Sequence, residues 1–226
     1  MFDDLVQAIQ TGDQAKLNCL LSADPALAQA RVDGHRTPLH IATDWPGHFP
    51  NVSQTISILI AKGAEVNAKA IGLLHTETPI HWAASSDDVE ALDALLDHGA
   101  DIEATGAVIG GGTPLADAVA FATWNAARSL IARGALPTFW QAAALGLLDQ
   151  LKVFREPTPD EITNAFWNAC HGGQLPSAQY LLAKGANLNW IGHDHLSPLG
   201  AAKRNGNPEL LNWLQSQTPF TDSSRP

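Results

Sequence analysis

One short run returns along the chain and leaves little freedom in how it can fold. Thr37-Pro38-Leu39-His40-Ile41-Ala42 recurs as Thr78-Pro79-Ile80-His81-Trp82-Ala83, as Thr113-Pro114-Leu115-Ala116-Asp117-Ala118 and as Ser197-Pro198-Leu199-Gly200-Ala201-Ala202. A second run answers it: Gly63-Ala64-Glu65-Val66-Asn67, Gly99-Ala100-Asp101-Ile102-Glu103, Gly134-Ala135 and Gly185-Ala186-Asn187-Leu188-Asn189. Repetition at this scale is the mark of stacked units, each of which buries its apolar face only against its neighbours. The parts have mechanical reasons. A Thr or Ser hydroxyl caps a helix start, and Pro fits the first turn, where its missing N–H has no intrahelical partner. Gly supplies the left-handed residue that ends a helix.

These runs resemble the ankyrin family, whose repeat of about 33 residues carries the same Thr-Pro-Leu-His-x-Ala signature. The resemblance implies an all-α solenoid of stacked helix pairs with short β-hairpin fingers. Aligning the small residue of the first helix gives Ala8, Ala42, Ala83, Ala118, Ala142, Ala169 and Ala202, hence about seven pairs. The expected organisation is a single domain over 1–217, with capping repeats at 1–33 and 191–217 and a disordered tail at 218–226. The second helices carry apolar residues at helical spacing, such as Leu92, Leu95 and Leu96, or Leu181 and Leu182, which reads as core.

Composition narrows the function classes. A formal net charge of −10 opposes binding to phosphate backbones, so no nucleic-acid partner is expected. No window reaches about 18 consecutive apolar residues, and the acidic start MFDDLVQAIQ is unlike a secretory leader; no membrane association is expected. Cys19 and Cys170 stand several repeats apart. With about 8–10 Å per layer they exceed the ~7 Å reach of a disulfide, and two buried free thiols suit a reducing, cytoplasmic location. Stretches such as HWAASSDDVEALDALLDHGADIE and ITNAFWNACHGGQ are similar to bacterial stand-alone ankyrin-repeat proteins, which implies a bacterial origin.

The repeat breaks in three places, and local rules tend to fail where function or strain intervenes. The chain runs five residues longer between Ala42 and Gly63 than between Ala83 and Gly99, with the excess in Asp44-Trp45-Pro46-Gly47-His48-Phe49-Pro50. The fingers before Thr78 and Thr113 are extended by Ala70-Ile71-Gly72-Leu73-Leu74-His75 and Val108-Ile109-Gly110-Gly111-Gly112. The triple glycine lacks the lysine of a phosphate loop, and the second of these segments reads as a mobile, lid-like finger. After Ala135 the finger is missing, which predicts a notch in the inner face.

In the ankyrin fold the residue before the aligned alanine partly faces the concave groove. Here it is Gln7, Ile41, Trp82, Asp117, Gln141, Asn168 and Ala201. Asp117, Gln141 and Asn168 replace an aliphatic residue, a costly choice if they are buried without partners. They either hydrogen-bond among themselves and to nearby backbone, or they form a site. One helical turn away lie Trp45, Ser85, Ser86, Phe121 and His171. Trp140 and Trp167 take the place of the signature histidine. His40 and His81 read as structural, and His193-Asp194-His195 lacks the further ligands of a metal centre, so no metal and no cofactor are expected.

Two functions follow. The resemblance implies a non-catalytic module recognising a protein partner through its fingers and concave groove, and this reading leads. The alternative is a small-molecule-binding protein or enzyme with a Trp-lined pocket of Trp45, Trp82, Ser85, Asp117, Phe121, Trp140, Gln141, Trp167, Asn168 and His171. Asp117 would be its acid or base, with His171 or Asp44 as partner.

Overall fold

The structure, a computed structural model, describes residues 2–72 and 75–217. The expected tail at 218–226 and the finger residues Leu73 and Leu74 lie outside the described residues. The chain divides into two compact units, Met1–Leu136 and Pro137–Pro226.

The first unit holds α1 (Phe2–Thr11), α2 (Gln14–Ala23), α3 (Pro38–Ala42), α4 (Val52–Ala61), α5 (Pro79–Ser85), α6 (Val89–Asp97), α7 (Pro114–Ala120) and α8 (Trp124–Ala132). Each odd-numbered helix packs on the next to form an antiparallel-style pair. The first helices touch in the order α1, α3, α5, α7, and the second helices in the order α2, α4, α6, α8. The second unit holds α9 (Phe139–Ala144), α10 (Leu148–Val153), α11 (Pro159–His171), α12 (Leu175–Ala183), α13 (Pro198–Asn205) and α14 (Pro208–Gln217), paired in the same way. There, α11 packs between α9 and α13.

The residue pattern explains these elements. Thr37, Thr78, Thr113, Thr138, Thr158 and Ser197 are N-caps of α3, α5, α7, α9, α11 and α13. The four glycines predicted to end second helices, Gly63, Gly99, Gly134 and Gly185, all hold positive φ. All seven aligned alanines are fully buried, and the small side chain is what lets adjoining helices approach. The approach is closest at Gly172, where a Cβ would lie 1.8 Å from the carbonyl oxygen of Ala144.

No β-strand occurs among the described residues, so the fingers differ from the hairpins implied by the resemblance. They close instead on isolated backbone bonds. Val32 N–H donates to Arg36 O at 2.9 Å, Ala70 N–H to Glu77 O at 2.8 Å and Ala107 N–H to Gly112 O at 3.1 Å.

The thiols need a correction. Cys170 is buried, but Cys19 is exposed. On α2 the buried residues are Leu17 and Leu21; Cys19 lies midway between them, on the opposite face of the helix. Both thiols are free, and burial pushes that of Cys170 up to about 12.

Candidate functional site

The histidines of the repeated run set the frame. His40 and His81 are fully buried and complete capping boxes with Thr37 and Thr78. Their far nitrogens meet the next finger: His40 Nε2 lies 3.1 Å from Glu77 O, and His81 Nε2 lies 3.4 Å from Gly112 O. Burial depresses both rings, that of His40 to about 4, so they remain neutral braces.

Glu77 precedes the Thr78 cap, and its backbone is pinned by His40, which turns its side chain inward; Glu77 is 5% exposed. Its Oε2 accepts from Trp82 Nε1 at 2.8 Å and lies 2.7 Å from His75 Nδ1. Its Oε1 accepts from Val108 N–H at 3.2 Å. Behind it Asp117 is fully buried. Burial and then the adjoining Glu77 carboxyl push Asp117 up to about 8, so at neutral pH the pair holds a proton between them. Asp117 Oδ1 accepts weakly from Ile109 N–H at 3.5 Å. Asp117 Oδ2 has no donor, as suits the oxygen that carries the proton. The two carboxyls thus grip the backbone of Val108 and Ile109, and the finger expected to be lid-like is docked on them.

A recess of about 470 Å³ opens in front of Glu77. Its walls are Trp45, Trp82, Val108 and Phe121, with Asp44, Ser85 and Ser86 completing the lining. Trp45 is 81% exposed and Phe121 50%. The loop carrying Trp45 is anchored from below, where Asp88 Oδ2 accepts from His48 N–H at 2.6 Å. Asp44 is paired with Arg36. Trp82 meets the buried His40 ring edge-on, with centroids 5.0 Å apart.

Of the residues singled out from sequence, Trp45, Trp82, Ser85, Phe121 and Asp44 therefore meet around one recess. Asp117 belongs to the same unit but does not line it. The second unit uses its share for packing. Gln141 Oε1 accepts from Thr138 N–H at 2.7 Å and closes a capping box. Counted from the Thr138 cap, Gln141 takes the place His40 takes after Thr37, so Trp140 is not the replacement for the signature histidine. Trp140 is half-buried against the core of the unit. Asn168 Nδ2 donates to Asn164 O at 2.9 Å, within its own helix. Trp167 donates its indole N–H to Leu196 O at 2.8 Å and stacks on His171, with centroids 5.4 Å apart. Arg204 comes within 3.3 Å of His171 Nδ1. These contacts fasten the finger before Ser197 onto α11. Among the described residues no group of three or more His, Cys, Asp or Glu side chains converges as a metal-binding set.

Family models described as ankyrin repeat match residues 34–71 and 75–104, the segments that hold α3 with α4 and α5 with α6. The chain is similar over 93% of its length to the crystal structure of the human ASB11 ankyrin repeat domain, 96% of which is covered, with a TM-score of 0.56 and 19% identity. Residues 34–71 and 75–104 are thus ankyrin repeats, and the chain has the fold of an ankyrin repeat domain. Among relatives, it is 29% identical over 167 residues to an ankyrin repeat and KH domain-containing protein of Caenorhabditis briggsae, a match covering 74% of the chain and 6% of the relative. It is 42% identical over 50 residues to the ankyrin repeat and KH domain-containing protein mask-1 of Caenorhabditis elegans, covering 22% of the chain and 2% of the relative. The chain thus spans a small part of the curated relatives it matches. No helix among its described residues is long and apolar enough to cross a membrane.

The ankyrin frame also shows what sequence reasoning missed. Glu77 and Val108 line the recess without belonging to the groove positions. The signal for Glu77 was faint: a single acid directly before a Thr-Pro cap, where the other Thr-Pro and Ser-Pro starts carry Arg36, Gly112, Pro157 and Leu196.

Proposed function

We propose that this ankyrin-repeat chain is a non-catalytic binding module that takes a protein partner on the recess of its first unit. The observation that carries the reading is Trp45, 81% exposed at the edge of a recess walled by Trp82 and Phe121. A large aromatic left in water beside a concavity is the residue type that dominates binding energy when a partner covers it. The seven helix pairs are read as its repeats, with 1–33 and 191–217 as caps and the fingers as part of the contact surface. A reducing cytoplasm suits the free thiols of Cys19 and Cys170.

A second reading, a small-molecule site, is favoured by the recess volume of about 470 Å³, which falls in the range of ligand pockets. The carboxylate available to such a ligand is Glu77, because Asp117 is sealed behind it.

The test is capture of interacting proteins by the intact chain, by Trp45→Ala and by Phe121→Ala, each checked for an unchanged melting curve. A protein held by the wild type and lost by both variants supports the module. A partner held equally by all three forms, or a metabolite that saturates the recess while no protein binds, overturns it.

A further inference from the structure

We infer that the recess receives the ammonium group of a lysine side chain presented by the protein partner, an inference that rests on the binding-module reading above. Three features of the recess support it.

The lining is one-sided in charge. It contains the carboxylates of Asp44 and Glu77, and no Lys, Arg or His. The whole chain carries a formal net charge of −10, which draws cationic surfaces toward it. Asp44 is already held by the permanent charge of Arg36, whereas the ion-pair partner of Glu77 is a histidine, His75, so Glu77 is the acid that an incoming cation meets.

The walls suit a cation. Trp45, Trp82 and Phe121 surround the space in front of Glu77, and aromatic faces attract ammonium and guanidinium groups through their quadrupoles. Val108 and Phe121 offer apolar surface along which a four-carbon stem can lie.

The free acceptor positions select between the two cations. A carboxylate oxygen can accept two hydrogen bonds. Oε2 of Glu77 accepts from Trp82 Nε1 at 2.8 Å and is crowded by His75 Nδ1 at 2.7 Å, an ion-pair contact without a hydrogen bond. Oε1 has one donor, Val108 N–H at 3.2 Å. With the proton shared with Asp117 also on this carboxyl, Glu77 has no pair of free oxygens to present. A guanidinium fork needs both oxygens at once, whereas an ammonium bonds as a point charge.

The experiment titrates the full chain with n-butylammonium, n-propylguanidinium and the neutral isostere 1-butanol, read by tryptophan fluorescence and by proton NMR of the indole N–H groups. The expected result is a saturable millimolar response to butylammonium that is about ten-fold weaker for the other two probes and lost in Glu77→Gln. Should Glu77→Gln fail to fold, Ser86→Lys places an ammonium at the half-buried lining and is expected to abolish the butylammonium response. Equal responses to butylammonium and 1-butanol, a tighter response to propylguanidinium, or full binding by both variants would overturn the inference. Saturation by micromolar butylammonium would overturn the lysine source in favour of a free amine. Loss of the charge preference with Trp45-dependent capture of a protein intact refutes this inference alone. An intact preference without any such capture refutes the binding-module reading.

Discussion

Trp82 donates its indole N–H to Glu77 across 2.8 Å, and this bond joins the first turn of α5 to the root of the preceding finger. Trp82 is at once a wall of the recess and a donor that keeps a buried carboxylate in place. Trp82→Phe keeps an aromatic ring but removes the donor. It is expected to lower stability by about 1–3 kcal/mol, the cost of a lost bond to a buried charged group, measured by urea denaturation against the wild type.

Asp117 offers a pH test. Its folded value, about 8, is raised above the ordinary carboxyl value of 3.8, so between these values the folded chain binds more protons than the unfolded one. Its contribution is therefore fully present below pH 3.8, declines as pH rises and is lost above about pH 8. Asp117→Asn removes that decline. The variant should be more stable than the wild type at pH 8, by on the order of 5 kcal/mol, and the two should converge toward pH 4. A scan of melting temperature against pH reads the difference directly, and a variant less stable at pH 8 would refute the shared proton.

His40 acts in the opposite direction. Burial holds it at about 4 against the ordinary imidazole value of 6.5, so on acidification the unfolded chain takes up a proton before the folded one does. Stability from this group is present above pH 6.5 and lost as pH falls through about 4. His40→Gln should flatten the acid limb of the stability profile by about 2–3 kcal/mol while weakening the cap at neutral pH.

Gly172 ends α11 at a point where a Cβ would meet the Ala144 carbonyl oxygen at 1.8 Å. Backbone on both sides cannot yield as a flexible side chain would. Gly172→Ala should cost about 3 kcal/mol through overpacking, whereas Gly99→Ala, with φ of +87° and open space around it, should cost about 1–2 kcal/mol through backbone strain alone. Paired denaturation curves of the two variants distinguish crowding from strain.

The outcome for the polar stripe shows where periodicity stops being informative. Aligned by sequence, Asp117, Gln141 and Asn168 fall in matching places, and their polarity singled them out, but the Thr138 cap puts Gln141 in the place of His40 instead. The fates of the three side chains differ. Gln141 closes the cap of its own helix, because the Thr138 start places it at the third helical position. Asn168 bonds back to Asn164 one turn earlier. Asp117 alone meets a second acid. Self-capping and back-bonding are local, and the spacing from Thr138 to Gln141 and from Asn164 to Asn168 carried them. The partner of Asp117 comes from a different finger, which no local spacing indicates.

The aromatic set divided in the same manner. Tryptophans stood out by their number, and Trp45, Trp82 and Phe121 do gather at one recess. Trp167 is spent against Leu196, His171 and His193, since the finger before Ser197 needs a flat hydrophobic surface to close on.

By itself the amino-acid sequence determined the helix starts, the glycine stops, the buried alanines and thereby the repeat, because each depends on residues within a few positions of one another. The tertiary structure decided which carboxylate faces the recess and which is sealed behind it. That choice rests on a contact between Glu77 and Asp117, side chains from successive repeats, and on the burial that leaves them one proton to share.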